Sequence, residues 1–64
     1  MNYQEVWDLA NAIGYHRGVM RRQQNQAGIA TDKRAFDQLL ERIPKEWVNT
    51  AIRAHDAGIT EGDG

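Results

Sequence analysis

The chain has 64 residues, no cysteine, two histidines and a formal net charge of −1. A chain this short forms one domain and buries only about 60% of its unfolded surface, so its stability depends on close packing or self-association. Disulfides and a Cys/His zinc site are excluded. No apolar run approaches the roughly 20 residues of a membrane-spanning helix, and the N-terminus has no signal-peptide pattern. We therefore expect a cytoplasmic protein without a membrane partner.

The first predicted helix runs over about residues 3–25, with Asn2 as its N-cap. Ala10, Gly14 and Gly18 form a row of small residues one turn apart along its flank. Because a glycine costs about 1 kcal/mol relative to alanine inside a helix, this row predicts the close approach of another helix. A break near Gly14, giving two short helices, is the alternative. The apolar stripe of this helix comprises Val6, Leu9, Ala10, Ile13 and Met20.

The partner of the small-residue row is the rest of this chain, a second copy or another molecule. A second copy would supply the shared core that a short chain lacks, so we predict a homodimer or higher homo-oligomer. Trp7 lies beside the row and would insert as a large side chain at such an interface. The predicted oligomer interface is Trp7, Ala10, Gly14 and Gly18.

A polar segment separates the first helix from the second. Gly28 is placed to end the first helix in a left-handed conformation. Thr31 or Asp32 then caps a second helix over about residues 32–43, which has the clearest helical periodicity in the chain.

Pro44 suits the first position of a third helix, predicted over about residues 44–57 and ended by Gly58. We expect a single helical domain over residues 1–59 and a flexible acidic tail over residues 60–64. No strand-period pattern is present. The predicted fold is therefore all-α, a small three-helix domain with one long helix and two shorter helices joined at a proline turn.

The middle of the chain carries the most suggestive chemistry. Between Gly14 and Phe36 there are five Lys or Arg residues and one acid. Arginine binds phosphate and carboxylate in a bidentate manner, and tyrosine and histidine stack on rings. Arg17 falls within the apolar stripe, where burial without a partner would be costly, so we expect it in a buried or interfacial salt bridge. The predicted binding residues are Tyr15, His16, Arg17, Arg21, Arg22, Lys33 and Arg34.

The same residues also have purely structural explanations. Arg21 and Arg22 also suit the solvated C-terminal end of a helix. His16 and His55 lie on different predicted helices without a metal-binding or nucleophile motif, so we predict no enzyme, metal or cofactor. The last two helices are compatible with a helix-turn-helix, which keeps DNA as an alternative partner.

The segment Ile43–Trp47 resembles a segment near the start of some insertion-sequence transposases, but it spans too little of the chain to imply a function. Small, cysteine-free helical chains are typical of accessory or inhibitor proteins of phages and mobile elements. We expect a small non-enzymatic protein that binds and modulates a larger protein or complex. The alternatives are a DNA-binding regulator and an oligomeric binder of a nucleotide or other phosphate ligand.

Overall fold

The computed structural model describes all 64 residues and contains three α-helices. They are α1 (Tyr3–Arg22), α2 (Gln26–Arg42) and α3 (Val48–Asp63), and a 3₁₀ turn, Lys45–Trp47, precedes α3. No strand is present, which confirms the all-α, three-helix prediction. None of these helices is sufficiently long and apolar to cross a membrane.

Helix α1 is continuous through Gly14 and Gly18, as expected. Asn2 caps it by accepting a hydrogen bond from the backbone N–H of Glu5 at 2.9 Å. The helix ends three residues earlier than expected, and Gln24 rather than a glycine takes the left-handed conformation, with φ of 57°. The chain thus changes direction between α1 and α2 at a polar residue, Gln24.

Helix α2 begins well before the expected position. Asn25 caps it by accepting a hydrogen bond from the N–H of Gly28, so Gly28 lies in the first turn of α2 and does not end α1. The predicted caps are also wrong, since Thr31 Oγ1 donates to Ala27 O within the helix and Asp32 is buried. Because Asn25 already caps α2, a cap at Thr31 or Asp32 is not needed.

Helix α3 continues where a stop was expected. Pro44 is extended, with φ of −58° and ψ of 146°, so α3 starts at Val48 after the 3₁₀ turn. Gly58 lies inside α3, which incorporates the predicted acidic tail as far as Asp63. Gly58 and Gly62 are both buried against α1, so their lack of a side chain serves packing rather than termination.

Helices α1 and α3 pack backbone to backbone. A Cβ atom on Gly14 would overlap the carbonyl oxygen of His55, and one on Gly18 would overlap that of Ile59. A Cβ atom on Gly62 would likewise overlap the carbonyl oxygen of Tyr15. The close approach predicted for the small-residue row is therefore made within the chain, and its glycines are buried there rather than open to a second copy.

The core is small for the number of residues it has to hold. Only 13 of 64 residues are buried, and Val6 is the only large side chain with no exposure. Trp7, predicted at an oligomer interface, is half-buried and packs against this core. The buried apolar residues are Val6, Ala10, Phe36, Leu39, Ile43, Ala51 and Ala54.

Substituting alanine at two helical glycines tests the backbone contact. Gly14→Ala should lower the free energy of unfolding by about 1–3 kcal/mol, because its Cβ meets the backbone of α3. Gly28→Ala is the control, because its Cβ meets only the flexible side chain of Met20 among atoms nearer than 3 Å. Urea denaturation of both variants measures the difference, and equal effects would contradict the close contact.

Candidate functional site

The predicted binding residues lie on helices α1 and α2. On α1, the backbone of Tyr15 packs against Gly62 on α3, whereas the side chain of His16 pairs with Asp32 on α2. Arg17, between them in the chain, is partly buried. The other predicted binding residues are exposed: Arg21, Arg22, Lys33 and Arg34.

The cations of this segment have acidic groups nearby. Gly18 lies against the backbone of Asp63, so the following turn of α1, with Arg21 and Arg22, is beside the acidic end of α3. Lys33 pairs with Asp37 at 3.5 Å on α2.

His16 and Asp32 form the shortest ionisable contact between helices. The Nδ1 atom of His16 lies 2.7 Å from Asp32 Oδ2, and the side chains are 59% and 12% exposed, respectively. This contact gives the buried Asp32 carboxylate a partner. Sequence reasoning treated Asp32 as a helix cap and missed the pair, since a contact 16 residues apart has no local signal.

His55 is the most deeply buried ionisable side chain, with 4% relative exposure. Its ring stacks on Phe36, with centroids 3.9 Å apart and an interplanar angle of 8°. Its Nδ1 atom lies 3.6 Å from Asp56 Oδ1, while Nε2 is buried without a hydrogen-bond partner. The structure thus buries this histidine between α2 and α3.

Arg17 makes no salt bridge within the chain, so the expected buried salt bridge is absent. Its Nε atom is buried and lacks a hydrogen-bond partner. Burial, and secondly the charge of Arg17, lower the pKa of His55 below its ordinary value, while Asp56 and Asp32 oppose the shift. Because desolvation and a neighbouring cation both disfavour the imidazolium form, His55 is neutral at pH 7.

The lowered pKa of His55 makes stability depend on pH. Below about pH 6.5 the unfolded chain binds a proton at this residue more readily than the folded chain, so stability falls as pH falls. The slope attributable to one such group is at most about 1.4 kcal/mol per pH unit. Urea denaturation between about pH 7 and pH 5 measures it. His55→Gln should flatten the slope, whereas a parent protein equally stable across this range would contradict the assignment.

Replacing Arg17 tests how much its buried, unpartnered Nε atom destabilises the fold. Arg17→Met keeps an apolar stem but removes the buried Nε donor and the charge beside His55, so the free energy of unfolding at pH 7 should rise by about 1 kcal/mol. Arg22→Met, in the exposed last turn of α1, should change it by less than about 0.5 kcal/mol. A marked loss of stability in Arg17→Met would show that the guanidinium group has a stabilising partner.

An apolar groove lies between α1 and α2. It has a volume of about 210 Å³, and its apolar lining is Met1, Leu9, Ile13, Ala35 and Leu39. Leu9 is 45% exposed and Met1 is 60% exposed. Sequence reasoning placed Leu9 and Ile13 on the core-facing stripe of α1 and did not anticipate this groove.

The groove follows from the unequal packing of α1. Helix α1 packs closely along α3, where glycines allow the backbones to approach, and it contacts α2 less extensively. The α1–α2 contact relies on side chains such as Ile13 and Leu39, which fill the gap only partly. The apolar surface that remains open is therefore on the α2 side of α1.

The chemistry available at these surfaces is limited. No group of three or more His, Cys, Asp or Glu residues is placed to hold a metal ion. The groove is smaller than the roughly 300–1,000 Å³ of typical small-molecule sites, and its lining is mainly apolar. Comparison with family models, curated proteins and solved structures yields no match. The geometry of the groove is thus the main guide to function.

Proposed function

We propose that this protein is a small protein-binding module whose groove between α1 and α2 receives an amphipathic helix of a larger partner. The observation that carries this proposal is the apolar groove, where Leu9 remains 45% exposed beside Ile13 and Leu39. Two adjacent helices with an apolar seam between them form the receiving half of a helix-in-groove contact. Leucine side chains of a partner helix would fill the open seam.

The size of the molecule is consistent with such a role. Its accessible surface is 4258 Å², and a standard interface covers about 800 Å² per partner, or roughly a fifth of that surface. The groove is only the centre of an interface this large, and exposed residues on its rims supply the rest. Covering exposed apolar side chains also stabilises a fold with a small core, because a ligand that binds only the folded state shifts the equilibrium toward it.

The alternatives receive less support from the geometry. The exposed face of α3, which would read DNA in a helix-turn-helix, carries Arg53 against the acids Asp56, Glu61 and Asp63. A face with this balance does not neutralise phosphates. A nucleotide site would require convergent cations, and Arg42 is the only cationic side chain that lines the groove.

A designed peptide tests groove binding without knowledge of the natural partner. The probe is a helix of about five turns with one leucine stripe at i, i+4, i+7 and i+11. With ¹⁵N-labelled protein, NMR shifts should cluster at Leu9, Ile13 and Leu39. Leu9→Ser should weaken binding by about fivefold or more, because it removes apolar contact area.

The control variant is Ile52→Ser, which removes an apolar side chain of similar exposure, 39%, from the opposite helix α3. It should bind the probe like the parent. Shifts scattered over the whole surface, or equal losses in the two variants, would contradict groove binding. A concentration-dependent dimer that Leu9→Ser dissociates would assign the groove to a second copy instead.

A further inference from the structure

We propose that the partner helix carries carboxylates along one edge of its apolar stripe, because the unpaired Arg42 lines the α2 wall of the groove and the unpaired Arg34 flanks it. This inference rests on the proposed groove function and specifies the chemistry of the occupant. The row consists of Arg34, Gln38 and Arg42, of which Gln38 and Arg42 line the groove itself. We call it the α2 rim.

The spacing of the α2 rim places its members on one side of the helix. Each member is rotated by about 40° around α2 from the one before it, and Arg34 and Arg42 are about 12 Å apart along its axis. All three side chains are exposed. A partner helix lying along the groove would therefore meet Arg42 in the groove and Arg34 only on its flank.

The guanidinium groups of the α2 rim have no intramolecular carboxylate partner. Lys33 is the only Lys or Arg residue that forms an ion pair in this structure. Arg34 donates only to the uncharged Thr31 Oγ1, at 3.4 Å. Asp37 and Glu41 lie beside Arg34 on α2 and do not line the groove. Arg42 is the only charged side chain of the groove lining, so the lining carries a positive charge.

The opposite wall does not balance this charge along the whole groove. On α1 the lining residues near the centre, Leu9 and Ile13, are apolar, and Glu5 lies one turn before Leu9 near one end. Arginine pairs with carboxylates in a bidentate manner, which favours a glutamate or aspartate facing the α2 rim. The two walls therefore define an occupant with an apolar centre and an acidic α2-facing edge.

A second copy of the chain fits this description poorly. Ile52 is the only large hydrophobic residue exposed on α3, so α3 has no apolar stripe to insert. A groove-to-groove contact would bring two copies of the α2 rim into the same interface, where like charges oppose association. The observations thus favour an acidic helix from a different protein.

Three peptides with the same leucine stripe test this inference. The positions that face the α2 rim carry glutamate, glutamine or lysine, and fluorescence anisotropy measures the dissociation constants. We expect binding in the order glutamate, glutamine, lysine, with the glutamate peptide at least about fivefold tighter than the lysine peptide at low salt. The difference should shrink between about 50 mM and about 500 mM NaCl because salt screens exposed charges.

A charge reversal assigns the effect to the α2 rim. Arg34→Glu/Arg42→Glu should reverse the order of the glutamate and lysine peptides. Arg22→Glu/Arg53→Glu makes the same change in net charge away from the groove and should preserve the order. Circular dichroism checks the folding of each variant, and Arg34→Gln/Arg42→Gln replaces the reversal if it unfolds, with loss of the preference expected.

The outcomes separate this inference from the groove function. Equal binding of the three peptides, with NMR shifts still in the groove, would overturn the acidic partner and leave helix binding intact. No binding of any peptide would overturn both. A preference that responds only to Arg22→Glu/Arg53→Glu would reflect overall charge and would also overturn the role of the α2 rim.

Discussion

The contact between the backbones of α1 and α3 determines the rest of this structure. Gly14 and Gly18 on α1 face the backbone of α3, and Gly58 and Gly62 on α3 face the backbone of α1. Such packing gains dispersion contacts but buries few large side chains. This explains why three of the seven buried apolar residues are alanines and why so much apolar surface stays exposed. Helices α1 and α3 thus pack closely together, while side chains such as Leu9 stay outside the core.

The same contact sets the position of α2. Because α1 packs closely against α3 on one side, α2 contacts α1 mainly through larger side chains. The apolar groove lies between α1 and α2. The polar centre of the molecule has a related origin. His55 is buried against Phe36, Arg17 is partly buried on α1, and each retains a buried nitrogen without a partner. A fold with so small a core therefore also carries an electrostatic cost, which makes stabilisation by a bound partner valuable.

The sequence predicts the fold class well because its signals there are local. The Asn2 cap, the continuity of α1 and the close approach at Gly14 depend on neighbouring residues and helical spacing. Local signals do not decide where α2 starts, because both Asn25 and Thr31 are residue types that cap helices. Gly58 is similarly ambiguous, because a glycine can end a helix or admit another backbone, and only the position of α1 decides between these roles. The groove was missed for the same reason: whether a stripe residue is buried depends on the distance to the next helix.

The His16–Asp32 pair connects the polar centre with the proposed binding surface. His16 lies one turn beyond Ile13 on α1, and Asp32 lies one turn before Ala35 on α2, so the pair closes one end of the groove. A contact of 2.7 Å between the two walls constrains their separation at that end, whereas the other end has the exposed Met1 and no equivalent link. The proposed partner helix would therefore meet a fixed end of the groove near Asp32, and the unpaired Arg42 would contribute its charge toward the other end.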